Sequence, residues 1–257
     1  MRTAKQPAVR TRPDRRDVLL LALTWAAGNV DAVSFLALGH VFTANMTGNT
    51  VLLGLHLAQE QGAAALRALV ALVGFGSGLV IGALIVERST DRAPWPPAVT
   101  WSFALEAVIL GIFAIGTALT AVVREAWEGQ VLIALSAMAM GIQSAAVRRL
   151  DVPGISTTYV TGTLTSAVTG LVARSASTGS CREPANAPGA SHWWRRVRLQ
   201  VLTLLVYGFG ALIAGVIHAH GARFVAVLAF VAVALVAAAA PSRRPSSMRD
   251  PDPRGVV

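Results

Sequence analysis

The sequence of 257 residues is poor in charge and in cysteine. Charged residues make up 14% of the chain, whereas 54% of its residues are hydrophobic; an average soluble domain carries about 25% charged residues. The charges cluster between long apolar runs, which is typical of a protein that crosses a membrane several times. The one cysteine, Cys181, excludes an intrachain disulfide and a cysteine-based zinc site.

The common enzyme and metal-binding motifs are also missing. The chain has no His-Glu-x-x-His run, no phosphate-binding loop and no Gly-x-Ser-x-Gly elbow, and its five histidines do not cluster. We therefore predict no enzymatic activity, no cofactor and no metal. An intramembrane enzyme ranks last among the functions considered, because the sequence contains no recognisable nucleophile–base pair.

The net charge of +9 is carried by tails and short loops, almost entirely as arginine. This distribution indicates the positive-inside bias of membrane topology and not a nucleic-acid-binding surface. Arg15 and Arg16 before an apolar run resemble a twin-arginine signal. Cleavage there would remove Gly28-Asn29-Val30-Asp31, whose counterpart recurs later, so a retained first span behind a cytoplasmic tail is the favoured interpretation.

The apolar runs predict an all-α fold, because backbone groups in lipid must be hydrogen-bonded within their own segment. Six runs match the ~20 residues that a spanning helix needs, and two shorter segments are interrupted by polar residues. The predicted spans are 18–38, 68–86, 99–123, 129–147, 199–220 and 224–240. The interrupted segments are 41–58 and 155–173, and residues 174–198 are predicted to form a loop.

Related motifs in the two halves predict an internal duplication. Gly28-Asn29-Val30-Asp31 aligns with Gly141-Ile142-Gln143-Ser144, Thr47-Gly48 with Thr161-Gly162, and Gly74-Phe75-Gly76 with Gly208-Phe209-Gly210. Residues 18–128 and 129–240 would then form two membrane repeats, between a basic tail at 1–17 and a second tail at 241–257. Duplicated halves are frequent in transporters, where the binding site lies at the repeat interface.

The two interrupted segments leave two topologies open. If each crosses the membrane, the protein has eight crossings and parallel repeats, with 17 Lys and Arg inside and 5 outside. If each dips in and returns, it has six crossings and inverted repeats, with 19 inside and 3 outside. The positive-inside rule favours the second topology by a small margin. Both topologies place both termini in the cytoplasm.

Two acidic residues fall inside predicted spans. A charge there costs ~2.5–3.5 kcal/mol on insertion scales, so Asp31 and Glu106 are candidates for coupling a proton or cation. The structural alternatives are that Asp31 hydrogen-bonds the following loop and that Glu106 is paired, with Asp31, Arg148 or a hydroxyl. Arg148 itself is either a topological anchor or an anion ligand.

The Thr-Gly segments are the other candidates. A helix starting after Gly48 or Gly162 would point its positive end into the membrane, which suits an anion or a carboxylate. The alternative is a helix-packing interface, as predicted for Gly74, Gly78 and Gly82, which share one helix face. The full set of candidate substrate- or ion-binding residues is Asp31, Asn45, Thr47, Gly48, Asn49, Glu106, Gln143, Arg148, Thr158, Thr161, Gly162 and Thr163.

The stretches Gly28–Leu36 and Val41–Asn49, with Gly141–Arg149 and Thr157–Thr163, resemble the signature of the YoaK-like bacterial membrane proteins, a family of unknown function. The resemblance covers nearly the whole span region. It implies an integral protein of the bacterial cytoplasmic (inner) membrane and implies no activity.

The residues themselves suggest a secondary transporter or permease for a small polar or anionic solute, with a central site between the repeats. The alternative is an accessory membrane protein that acts as a sensor or as a lipid- or protein-binding subunit. The expected partners are the lipid bilayer and a small polar solute or ion, with no nucleic acid, and a homo-oligomer stays open.

Overall fold

The computed structural model describes residues 14–91, 93–120, 126–150, 164–165, 168–169, 172, 188–221 and 224–240. Within these residues the chain forms seven helices of defined bounds and no strands. The helices are α1 (Arg15–Ala37), α2 (Met46–Ala58), α3 (Gly62–Glu87), α4 (Pro97–Thr120), α5 (Ala126–Arg149), α6 (Pro188–Ala219) and α7 (Val225–Ala239). The all-α prediction is therefore confirmed over the described residues.

Five helices are long and apolar enough to cross a membrane: α1, α3, α4, α5 and the Val197–Ala219 part of α6. With 15 residues, α7 is about 22 Å long at 1.5 Å per residue, whereas a bilayer core is ~30 Å thick. The sixth predicted long span is therefore a short apolar helix. The predicted loop 174–198 is wrong in its last part, because α6 already begins at Pro188.

Hydrogen bonds at the helix ends fix the direction of three helices. Arg15 Nη2 donates to the Ala239 carbonyl at 2.6 Å, so α1 begins where α7 ends. Arg195 Nη2 lies 2.8 Å from both carboxylate oxygens of Asp17, so α6 begins beside the start of α1. We call this side of the bundle the N-terminal face and the other side the opposite face.

The helices α3 and α5 run the other way, from the opposite face to the N-terminal face. Arg67 Nε donates to the Gly39 carbonyl at 3.3 Å, which places the first part of α3 beside the end of α1. Arg149 Nη2 donates to the Asp91 carbonyl at 3.2 Å, which places the end of α5 beside the α3–α4 connection. It follows that α4 leads from the N-terminal face to the opposite face.

Glycines bring α3 and α5 together at backbone distance. A Cβ atom added at Gly74 would lie 2.8 Å from the Ala134 carbonyl oxygen, and one added at Gly78 would overlap the Met138 carbonyl. Gly82 continues the same face, where an added Cβ would lie 2.8 Å from the nearest side-chain atom of α5. Small residues allow this close approach of helices in membranes, and the predicted packing face is confirmed.

The helices α1 and α6 cross in the same manner. A Cβ atom at Gly28 would overlap the Tyr207 carbonyl, and one at Gly210 would overlap the Trp25 carbonyl. The bundle places α1 and α5 at its centre, where 67% of the apolar stretch of each is buried, against 28%, 44% and 17% for α3, α4 and α6. The polar residues in the middle of α1 and α5 therefore lie in the interior, namely Thr24, Asn29, Asp31, Ser136 and Gln143.

Replacing Gly78 by valine should destabilise the protein, because the new side chain must displace the Met138 carbonyl. Overpacking of this kind costs about 1–3 kcal/mol, visible as a lower melting temperature of the purified protein in detergent. Gly76→Val is the matched control, since it makes the same change on the same helix and an added Cβ there meets no atom within 4 Å. Equal melting temperatures for the two variants would contradict the tight α3–α5 contact.

Candidate functional site

The chain reverses direction directly after α1. Gly39 and His40 have φ angles of 87° and 62°, a conformation that glycine adopts without steric cost and other residues rarely adopt. The Phe35 ring packs against His40 and Phe42 with centroid distances of 4.9 and 5.1 Å. Residues 38–45 thereby return alongside α1.

Asp31 holds this returning segment from within α1. Its Oδ1 accepts the backbone N–H groups of Thr43 and Ala44, each at 2.7 Å, and the Thr43 hydroxyl at 3.3 Å. Its Oδ2 accepts the hydroxyl of Tyr207 on α6. Asp31 is 3% exposed, so these donors take the place of water around the carboxyl group. The observed role is hydrogen bonding to the following loop.

Two asparagines shape the first turn of α2. Asn45 caps the helix by accepting the Gly48 N–H at 3.2 Å. The Asn49 side chain accepts the Phe42 N–H at 2.9 Å and donates to the Phe42 carbonyl at 2.6 Å. The helix begins at Met46 and not after Gly48 as predicted, and a Cβ added at Gly48 would lie 3.0 Å from the Phe42 ring. Gly48 therefore serves packing within the turn.

The start of α2 lies inside the bundle and its end lies at the opposite face. Thr43 and Ala44, just before α2, are bonded to Asp31, which lies six residues, about 9 Å, before the end of α1. Along its length α2 packs against α3, and α2 ends shortly before α3 begins at that face. The positive end of the α2 dipole therefore lies at depth, beside the exposed side chains of Asn45 and Thr47.

Glu106 and Gln143 lie on other helices, α4 and α5, and both are fully buried. Among the described residues, neither carboxyl oxygen of Glu106 has a hydrogen-bond partner, and Oε1 of Gln143 also lacks one. Nε2 of Gln143 donates to the Leu23 carbonyl of α1 at 3.4 Å. Because α4 does not pack against α1, the structure does not pair Glu106 with Asp31.

The structure thus unites only part of the predicted set. Asp31 and the 45–49 stretch form one hydrogen-bonded unit, whereas Glu106 and Gln143 lie in the bundle interior away from it. Arg148 is exposed at the N-terminal face, where α5 ends. Four predicted residues lie outside the described part of the chain: Thr158, Thr161, Gly162 and Thr163.

The sequence reasoning missed three residues of the interior. Asn29 on α1 is fully buried, and both of its amide atoms lack partners among the described residues, as does Nε2 of Gln200 on α6. Tyr207 supplies the α6 contact to Asp31. Asn29 stands within the quoted Gly-Asn-Val-Asp motif, and Tyr207 and Gln200 each interrupt an apolar run, so a scan for every polar residue within the spans finds all three.

Comparison with known proteins identifies the family. The model of a family of proteins of unknown function, DUF1275, matches residues 19–240. The chain belongs to this family. It is also 45% identical over 151 residues to the UPF0700 transmembrane protein YoaK of Bacillus subtilis (strain 168), a match that covers 59% of this chain and 65% of that protein. No solved structure matches the chain significantly.

These findings show a multi-helix transmembrane protein with a bacterial relative, and they confirm the resemblance described from the sequence. The match spans slightly less than two thirds of the length of YoaK. Neither the family description nor the printed name of the relative carries an activity, so function is argued from the described residues.

Replacing Asp31 by alanine should release residues 38–45 from α1. Two buried backbone N–H groups, of Thr43 and Ala44, would lose their acceptor, and each unpaired group costs about 1–3 kcal/mol. Thr43→Val is the control, since it removes only side-chain bonds, from the Thr43 hydroxyl to Asp31 and from Ser34 to that hydroxyl, and leaves both backbone bonds to Asp31 intact. We expect a clearly lower melting temperature in detergent for Asp31→Ala than for Thr43→Val. An Asp31→Ala protein as stable as Thr43→Val would refute the holding role.

Proposed function

We propose that the protein is a secondary transporter for a small polar or anionic solute, with its site between two inverted halves. The observation that carries the proposal is a set of buried polar atoms that lack partners within the described bundle, on the two central helices and their neighbours. A buried polar group without a partner costs free energy, so such groups persist where a ligand or water completes them.

The helix pairing supports two related halves. If α1 corresponds to α5, α3 to α6 and α4 to α7, then the α1–α6 contact matches the α5–α3 contact, and α1–α7 matches α5–α4. Corresponding helices run in opposite directions, because α1 begins at the N-terminal face and α5 ends there. This arrangement favours inverted over parallel repeats and is common among transporters.

The glycine contacts agree with the same correspondence. Gly28 of α1 faces the Tyr207 carbonyl, and its sequence counterpart Gly141 of α5 faces the Phe75 carbonyl. Each central helix therefore presents one glycine to the backbone of a helix from the other half.

A second pair of contacts adjusts the register of the duplication. Gly210 faces the Trp25 carbonyl as Gly78 faces the Met138 carbonyl. Gly78 is then the counterpart of Gly210, whereas the sequence alignment had placed Gly76 there. The motif alignment is ambiguous on this helix, because Gly74, Gly76 and Gly78 form two overlapping Gly-x-Gly patterns against the single pattern Gly208-Phe209-Gly210.

The topology itself can be tested by cysteine labelling in a Cys181→Ser background. In the six-crossing, inverted arrangement, α2 returns to the face from which residues 38–45 entered. A cysteine at Gln61 should then react with an impermeant maleimide from the outside of intact cells, and one at Thr90 only in inside-out vesicles. Labelling of Thr90 from the outside and of Gln61 only in inside-out vesicles, as eight crossings require, would contradict this arrangement.

The polar interior is the proposed solute site. Asn29 and Gln143 lie on the two central helices, α1 and α5, and Glu106 and Gln200 are buried on α4 and α6. The three amide side chains offer donors and acceptors, which suits a polar solute. We infer that these four residues, and not the turn before α2, contact the solute.

One observation favours the alternative, an accessory membrane protein. The polar groups of Asp31, Thr43 and Asn49 are bonded to the protein's own backbone and to Tyr207, as expected for a segment that only packs. Under this alternative, the interior amides would be sealed from water on both sides.

Accessibility of the interior separates the two functions without knowledge of the solute. In the Cys181→Ser background, Asn29→Cys and Gln143→Cys should react with an impermeant maleimide from either side, in right-side-out and inside-out vesicles, because alternating access exposes the site to each side in turn. Ala26→Cys, at a fully buried position of α1, should stay unlabelled. If all three variants are equally unreactive from both sides, the transporter proposal fails.

A further inference from the structure

Glu106 is an isolated acid in the bundle interior. It lies nine residues after Pro97, the first residue of α4, and thus about 13 Å along the helix at 1.5 Å per residue. Its side chain is fully buried, and within the described chain both carboxyl oxygens lack a hydrogen-bond partner. An unpaired carboxylate is costly at such a depth, whereas the neutral acid avoids most of that cost.

In the described part of the chain, no charge on the helices around α4 compensates Glu106. These helices are α3, α5 and α7, and α7 contains only alanine, valine, leucine and phenylalanine. Every ionisable residue of α3 and α5 lies at or near a helix end. Glu87 and Arg148 are exposed there, and Arg149 bonds the Asp91 carbonyl. The ionisable residues of the two helices are Arg67, Glu87, Glu128, Arg148 and Arg149.

The unpaired amide oxygen of Gln143, on the neighbouring helix α5, suits a neutral Glu106 side chain. Gln143 lies six residues before Arg149, the end of α5, and so about 9 Å from the N-terminal face, at a depth similar to that of Glu106. Its Oε1 is an acceptor without a donor among the described residues. A protonated carboxyl group has an O–H donor, and a carboxylate has none.

We propose that Glu106 binds and releases a proton, and that this site makes the transport proton-coupled. The coupling role rests on the proposed transport function, whereas proton binding by Glu106 does not. In the closed bundle the Glu106 O–H bond is intact. When the interior opens, this bond breaks and the proton passes to water, leaving the carboxylate, so no further reactant is required.

Among the acids that the structure describes, the coupling role falls to Glu106. Asp31, the other acid within a span, already accepts two backbone N–H groups and two hydroxyls. The counterpart of α4 in the second half, α7, carries no polar side chain. A duplicated structural feature would be expected in both halves, whereas the Glu106 carboxyl occurs in one, which gives one proton site among the described residues.

Dicyclohexylcarbodiimide reports the bound proton directly, because this apolar reagent reacts with protonated carboxyls in apolar surroundings. The full-length protein in detergent is treated over a range of pH, and peptide mass spectrometry locates the adduct. We expect the adduct at Glu106 and none at Asp31. The rate of adduct formation should fall about tenfold for each pH unit above the pH at which half of the Glu106 carboxyl groups are protonated, since each unit changes the protonated fraction about tenfold there.

Matched variants and ions complete the test. Glu106→Gln should abolish the adduct while the protein still elutes as a folded species, and Glu87→Gln, at an exposed position, should leave it unchanged. An absent adduct in the folded wild type, an adduct that persists in Glu106→Gln, or protection by sodium ions would each overturn the proton site. Labelling needs no transport, so its outcome is independent of the accessibility result at Asn29 and Gln143.

Discussion

The arrangement of this bundle depends on the hydrogen bonds that satisfy the backbone of residues 38–45, the non-helical segment between α1 and α2. Lipid offers no donors or acceptors, so such a segment must find its partners in the protein. Asp31 supplies them, accepting the N–H groups of Thr43 and Ala44 at 2.7 Å and the hydroxyl of Tyr207 on α6. This one carboxyl group positions the start of α2 and joins it to α6.

The second constraint is the close approach of helices that lie far apart in the chain. Gly28 and Gly210 bring α1 and α6 to backbone distance, and Gly74 and Gly78 do so for α3 and α5. Each glycine seam joins a helix from residues 15–120 to one from residues 126–219, so helices far apart in the chain build one interior. The central helices α1 and α5 are consequently enclosed, and their polar residues are removed from lipid.

These constraints separate two kinds of buried polar residue. Asp31 and Asn49 are bonded to nearby backbone, so their chemistry is used within the fold. The side chains of Asn29 and Glu106 have no hydrogen-bond partners among the described residues, so they are available to a solute, to water or to a proton. The proposals for a solute site and a proton site both follow from this division.

The sequence by itself determined the membrane class, the all-α fold, the start of most helices to within a few residues and the glycine packing face, because length, hydropathy and residue size act locally. It also singled out Asp31 and Glu106, since a charge stands out in an apolar run. Only the tertiary structure decided that α2 begins before Gly48, that Asp31 is bonded and that Glu106 is not, because partners far apart in the chain, such as Tyr207 and Asp31, meet only when the helices pack.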